Sequence, residues 1–171
     1  MADPRVRPIT EADLPEVVAM VHELAAYERL PQECHLTPEL LRAALFGDPA
    51  GTIPALFGHV AVPDPTGAGQ TPVGYALHFL NYSTWEGVHG IYLEDLYVRP
   101  AHRGSGLGRA LLVNLAEIAA ARGYARVEWS VLDWNTPSID FYRSLGAIGM
   151  DGWSTFRLSG QALARTARGT R

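Results

Sequence analysis

Residues 91–98 read IYLEDLYV, and residues 103–109, a few positions further on, read RGSGLGR. The first segment is a strand by composition, and it stops at Arg99-Pro100. After the second, Leu107, Leu111, Leu112, Leu115, Ile118 and Ala119 share one face of a long helix. Gly123 supplies the C-terminal stop of that helix. Residues 125–132 (ARVEWSVL) return as another strand. Strand, glycine loop, helix and strand in this order predict a right-handed parallel crossover.

Working outward, residues 5–9 (RVRPI) read as a short first strand. Thr10 and Asp13 form a capping box, and Leu14, Val17, Val18, Val21, Leu24 and Ala25 follow at helical spacing. That helix ends between Glu28 and Leu30, because Pro31 cannot continue it. Thr37-Pro38-Glu39 places a cap and a first-turn proline before a second helix that runs to Phe46. Residues 53–62 and 73–80 predict two strands of a hairpin, with a turn-rich loop at 63–72 between them. Residues 135–145 predict a short helix closed by Gly146; one or two last strands follow, and a frayed tail begins at Ala164. The fold class is therefore α/β, a single domain over residues 1–171 with a mixed central β-sheet flanked by helices around a β-α-β core.

Composition narrows the function classes. The chain has 171 residues, 47% of them apolar and 19% charged, enough to bury one core. Fourteen basic against eighteen acidic residues give a net charge of −4, which predicts no nucleic-acid or anionic-lipid partner. The one cysteine, Cys34, excludes a disulfide framework and suits a reducing compartment. The start MADPRVRPIT carries an acid and two prolines where a signal peptide needs an apolar stretch, and no apolar run approaches the ~20 residues of a bilayer span. The expectation is a cytoplasmic chain with no membrane partner.

The glycine loop carries the chemistry. It lies between a strand and a helix, so its amides point from the helix's positive end, and small residues let an anionic group approach the main chain. On spacing alone, a tight turn that needs the glycines only for its backbone geometry is the lesser alternative. Which phosphate ligand fits is decided by what the loop lacks. There is no Gly-Lys-Ser/Thr, so it is not a P-loop. A dinucleotide fingerprint starting at Gly104 or at Gly106 would need a small residue where Arg109 or Leu111 stands.

What remains is Arg/Gln-x-x-Gly-x-Gly/Ala, met by Arg103, Gly106 and Gly108. This resembles the acetyl-CoA loop of the Gcn5-related N-acetyltransferase (GNAT) superfamily. Five blocks narrow the resemblance to its diamine and thialysine N-acetyltransferase family: ELAAYE (23–28), YSTWEG (82–87), IYLEDLYV (91–98), RGSGLG (103–108) and VLDWNTPSIDFYRSLGA (131–147). STW and VLDWN resemble the thialysine branch more closely. The segment between Trp85 and Glu94 is one residue longer than in either branch, so no role is carried over to Glu86 through His89.

The resemblance implies acetyl-CoA as donor and a small-molecule primary amine as acceptor; direct attack in a ternary complex is the expected route, because Cys34 has only neighbouring His35 to activate it as a relay. It places Leu96, Tyr97, Val98, Arg103, Gly104, Ser105, Gly106, Leu107, Gly108, Arg109, Asn135 and Ser138 on the donor. Tyr27, Glu28, Glu94, Glu128, Trp129 and Ser130 are placed on the acceptor, and Tyr142 as the acid that protonates the departing thiolate. It also implies a homodimer. Physical chemistry sets the same tasks. An alkyl ammonium of pKa near 10.4 is only about 0.04% neutral at pH 7, so some group must accept its proton. Glu94 is the candidate, as base, as water relay or as an anchor for the cation. Strand alternation puts Glu94 and Asp95 on opposite faces. At about 100° per residue, Asn135, Ser138 and Tyr142 fall within about 60° on one helix face. An acidic, partly aromatic pocket suits a compact ammonium.

Two other readings remain open: a protein or peptide N-acetyltransferase, and an acyl-CoA-binding module without catalysis. The histidines at 22, 35, 59, 78, 89 and 102 form no HxH or HExxH, so no metal is expected. Cys34 has only neighbouring His35 to activate it, which favours a plain thiol over an acetyl-cysteine relay.

Overall fold

The computed structural model describes residues 3–66 and 70–169. They form two compact units, one ending at Ser130 and one beginning at Val131. In the first, strands β1 (Val6–Pro8), β2 (Phe57–Ala61), β3 (Gly74–Ser83), β4 (Val88–Val98) and β5 (Val127–Glu128) lie side by side in chain order. The first four pair antiparallel, and β5 joins β4 in parallel through Ile91↔Val127 and Tyr92↔Glu128. The sheet is thus mixed, as the hairpin and the crossover predict.

Three helices belong to this unit: α1 (Leu14–Tyr27), α2 (Pro38–Phe46) and α3 (Leu107–Arg122). At the start of α1, the Thr10 N–H and hydroxyl both donate to Asp13 Oδ2 at 2.8 Å, and Arg7 donates to the two carboxylate oxygens at 2.7 and 2.8 Å. Burial alone would push the Asp13 carboxyl up, but Arg7 and Thr10 outweigh it and hold the group below the usual carboxylate range. Helix α1 stops where expected. The Leu30 N–H donates to the Ala25 carbonyl and the Arg29 N–H to that of Ala26, with Arg29 in the left-handed region at φ 66°.

One face of the sheet and α1 share a core of Ile9, Leu14, Val17, Met20, Val60, Tyr75, Leu77 and Tyr97. Helix α3 packs mainly on β4 and β3, burying Leu107, Leu111, Leu115 and Ala119.

The structure corrects several boundaries. The strand expected at 53–62 forms only at Phe57–Ala61. Pro54 has no N–H to give a ladder, and the amides of Ala55 and Leu56 go to the Ala44 carbonyl at the end of α2, both at 3.2 Å. The loop at 63–72 includes residues 67–69, which lie outside the described residues. Strands β3 and β4 run further than expected, so YSTWEG becomes a hairpin tip; the Gly87 N–H closes on the Ser83 carbonyl at 2.8 Å. The strand expected at 125–132 shrinks to Val127–Glu128, and its ladder with β4 stops at Tyr92, just short of the bulge described below.

The second unit holds α4 (Thr136–Ser144) and α5 (Gly160–Ala167). Asn135 begins α4 through its carbonyl, which accepts from the Ser138 and Ile139 amides; its side chain makes no capping bond. Gly146, at φ 87°, follows the end of the helix as expected. No strand forms between 147 and 159 among the described residues. A strand needs a ladder partner, and this unit contains none, so Ile148, Met150, Trp153 and Phe156 stay exposed within it. The tail expected to fray from Ala164 is instead helical to Ala167, in keeping with its run of alanine, leucine and arginine. Among the described residues, no helix is long and apolar enough to cross a membrane.

Candidate active site

Helix α3 begins at Leu107, directly after Gly106 at φ 84°, with Gly104 two residues earlier at φ 76°. Both backbone conformations lie where a side chain would be strained. The loop between them is pinned from two sides. Arg5 donates to the Ser105 carbonyl at 3.1 Å, and the Ser105 hydroxyl donates to the His102 carbonyl at 2.6 Å. The Ala110 N–H is the first to find an acceptor inside the helix, the Gly106 carbonyl at 2.9 Å. No side chain caps the helix, so the amides of Leu107, Gly108 and Arg109 have no partner within it. A Cβ added at Gly104 would meet nothing within 4 Å, so this side of the loop is open. An uncapped sixteen-residue helix behind an open glycine loop suits a phosphate-bearing anion.

Arg103 turns back instead of reaching forward. Its Nε donates to the Val98 carbonyl at 2.9 Å, and its guanidinium carbon lies 5.4 Å from the Tyr27 ring centre and 5.5 Å from that of Tyr97. The loop, the end of α1 and β4 therefore meet at one arginine. Glu23 reinforces the junction, accepting from the Tyr97 hydroxyl at 3.2 Å and pairing with Arg99 at 3.0 Å; Arg99 also pairs with Glu16 at 2.9 Å.

Strand β4 offers the loop a free edge. Its ladder with β5 covers only Ile91 and Tyr92, so the stretch from Leu93 to Val98 has no strand on that side. The Arg99 N–H donates to the Val73 carbonyl beside β3, while the Val98 carbonyl accepts from Arg103 on the opposite side. Alternation then turns the peptide groups of Leu96 and Val98 to the free edge and that of Tyr97 into the β3 ladder.

A bulge sets the acidic side of the site. His78 pairs with Leu93 and Leu77 with Asp95, which leaves Glu94 as the extra residue. Strict alternation would have given Asp95 the face packed by α3. The bulge moves it to the α1 face instead, in register with Leu77, and breaks the expected opposition of Glu94 and Asp95. Half-buried there, Asp95 has its carboxyl pushed up to about 6, first by burial and then by the charges of Glu94 and Glu28; the Tyr75 hydroxyl acts in the other direction. Burial also raises Glu28, the cap residue of α1. Tyr27, the last residue of α1, is 38% exposed.

Glu128 of β5 and the two residues after it are occupied differently. Glu128 forms an ion pair with Arg126 and accepts from Asn81 Nδ2 at 2.9 Å, so its charge is answered within the sheet. Trp129 is half-buried, and the Ser130 hydroxyl lies 2.9 Å from that of Tyr92, whose ring stacks on Phe79. In the second unit, Asn135 stands just before α4 and Ser138 and Tyr142 lie on it, at the expected spacing. Asn135 is buried, the other two are half-buried, and the Tyr142 ring lies 5.3 Å from that of Phe141.

Sequence reasoning did not single out Asp95 as a site residue and missed Tyr75 altogether. Asp95 sits within the quoted strand, but only a bulge that leaves no mark in composition tells which face it takes. Among the described residues, no group of three or more His, Cys, Asp or Glu side chains is placed to hold a metal. A cavity of about 420 Å3 lies away from the glycine loop, between the C-terminal end of α3 and the sheet, and is lined by Phe46, Phe57, His59, His78 and Ile118.

A mixed sheet whose fourth strand feeds a glycine loop and an uncapped helix, with carboxylates gathered beside it, defines an α/β class of protein with an open anion site at a helix start. The chain belongs to the acetyltransferase (GNAT) family, whose model matches residues 18–147, and it is an acetyltransferase. It is 37% identical to a thialysine N-epsilon-acetyltransferase of Bos taurus over 98% of this chain and 99% of that one. An L-ornithine N5-acetyltransferase of Arabidopsis thaliana is 30% identical over 93% of this chain and 86% of its own length. Among solved structures, an integron cassette protein from the mobile metagenome of V. cholerae superposes with a TM-score of 0.75 at 21% identity, covering 95% of this chain and 96% of that one. The fold matches the sequence-based expectation.

Proposed function

We propose that this chain transfers the acetyl group of acetyl-CoA to a primary amine of a small cationic molecule, thialysine or a lysine-like or diamine compound, by direct attack in a ternary complex. One observation carries the reading. Arg103 of the glycine loop rests on Tyr27 at the end of α1, next to Glu28, while burial raises Glu28, and burial with the charges of Glu94 and Glu28 raises Asp95. Negative charge is thus concentrated beside a loop suited to phosphate, which is where a cationic acceptor would meet its donor. The names of the thialysine and ornithine relatives support the same acceptor class.

In this reading the amides of Leu107, Gly108 and Arg109, with Gly104, Ser105 and Gly106, hold the donor's diphosphate at the positive end of α3. The free-edge peptide groups of Leu96 and Val98 align its pantetheine arm, Tyr97 lies beneath that arm, and Asn135 and Ser138 complete the hold. When bound, acetyl-CoA supplies an activated acyl group on a thiol leaving group. Tyr27 and Glu28 receive the acceptor together with Glu94, Trp129 and Ser130, while Glu128 acts through its ion pair with Arg126. Glu94 draws in the ammonium, and Tyr142 gives its proton to the departing thiolate. The two compact units serve one N-acetyltransferase domain, since the family model runs across their boundary. A homodimer in the cytoplasm completes the proposal.

The experiment is an acetylation panel of thialysine, lysine, ornithine, short diamines, spermidine and peptides, read by thiol release and by product mass. Acetylation of one or more of the small amines well above the peptides is expected. Preferential acetylation of peptides would replace the proposal with the protein-acetyltransferase reading, and coenzyme binding without any product would replace it with the binding-module reading.

A further inference from the structure

Two groups at the junction of α1 and β4 have no role in the scheme above. Tyr75 is completely buried, with 0% of its surface exposed, yet it carries a polar hydroxyl for which the structure offers no well-formed hydrogen bond. A buried hydroxyl left in this state is costly unless it serves a neighbour. Tyr75 pairs with Tyr97 and Leu77 with Asp95, so Tyr75 and Asp95 are diagonal neighbours on the α1 face of the sheet, and the Asp95 charge is the first of those that raise the Tyr75 hydroxyl after burial. Asp95 is there only because of the bulge at Glu94. Without the extra residue, its carboxylate would lie on the far face of the sheet, against α3.

We propose that Asp95, brought to the α1 face by the bulge, takes the proton from the bound substrate ammonium, and that Tyr75 is the positioning residue that steadies the Asp95 carboxylate from beneath. This rests on the amine-acetyltransferase reading and divides the work between two adjacent carboxylates. Glu94, exposed on the bulge, attracts the cation; Asp95, half-buried behind it, is the acceptor. The step balances. One ammonium N–H bond breaks and one carboxyl O–H bond forms, leaving a neutral amine whose lone pair attacks the thioester carbonyl. Tyr142 protonates the departing thiolate, the amine's second proton, released as the intermediate collapses, restores Tyr142, and Asp95 returns its own proton to water before the next turnover.

Several features favour Asp95 over Glu94. A carboxyl raised to about 6 is a better match for a proton from an amine than one in the ordinary range, yet is still mostly ionised at pH 7. The groups facing it are known: Glu94 from its own strand and Glu28 from α1 both push it up, and Tyr75 from β3 opposes them. An incoming ammonium would relieve the repulsion among the three carboxylates, so the cluster binds the cation; once the proton has moved and that charge is gone, the charges of Glu94 and Glu28 again favour the protonated Asp95.

The test compares kcat against pH for the wild type, Asp95→Asn, Tyr75→Phe and Glu94→Gln on the best amine from the panel, with acetyl-CoA affinity measured separately for each. Asp95→Asn is expected to lower kcat at least a hundredfold, to remove the acid limb near pH 6, and to leave coenzyme affinity within about threefold. Tyr75→Phe should keep most of the maximal rate but move the acid limb to higher pH, because the hydroxyl favours the ionised carboxyl. Glu94→Gln should raise KM more than it lowers kcat. Asp95→Asn that turns over within threefold of wild type, or a limb that vanishes only in Glu94→Gln, overturns the assignment and leaves the acetyltransferase reading intact. A wild type that acetylates no amine overturns both.

Discussion

At the scale of single residues, burial decides chemistry here, and His78 shows it in a group with no part in the proposed transfer. It is 4% exposed, stacked between Phe57 and His59, and its ring is pushed down to about 4 by burial, then by His59 and Arg122. The fold therefore prefers the neutral ring. Since the unfolded chain takes up a proton near pH 6.5, stability is fully present above that value and falls as the pH drops from 6.5 toward 4. His78 alone contributes a loss on the order of 3 kcal/mol by pH 4. Melting curves between pH 4 and 7 should show this decline, and His78→Phe should flatten it; an equally steep decline in the variant would remove His78 as its source. Nothing in the sequence marked this residue, because a histidine in an apolar strand looks the same whether its ring is turned to solvent or to the core.

At the scale of elements, legibility followed local punctuation. The first helix was bounded by Thr10 and Pro31, the second by Thr37-Pro38, and the third by Gly106 and Gly123; all three form as expected because their signals are local. The bulge at Glu94 and the short β5 were not legible, since both depend on pairing partners distant in the chain. The final strands failed for the same reason: alternating apolar residues predict a strand only where a ladder is available. The α3 start is the element on which donor binding hangs. Gly106→Ala places a side chain at φ 84° and should cost about 1–2 kcal/mol of stability, through strain in the left-handed region. It should also weaken coenzyme binding about tenfold or more, as the amides behind it shift. Thermal melts with and without coenzyme check both; unchanged stability and affinity would mean that the conformation of the loop does not matter.

At the scale of the whole molecule, the sheet brings together pieces far apart in sequence: Tyr27 and Glu28 from a helix end, Tyr75 from one strand, Asp95 from its neighbour and Arg103 from the loop. The sequence made the loop and the Tyr27-Glu28 end of α1 recognisable by motif, while their convergence on Arg103 and the grouping of Glu28, Glu94 and Asp95 required the fold. The central claim is that the open end of α3 grips the diphosphate of acetyl-CoA, with the acyl end delivered along the free edge of β4. A crystal structure with coenzyme A bound tests it most directly. The account predicts diphosphate oxygens within about 3 Å of the amide nitrogens of residues 106–109, with the pantetheine arm bonded to the peptide groups of Leu96 and Val98. A diphosphate bound elsewhere, with those amides facing only water, would contradict it.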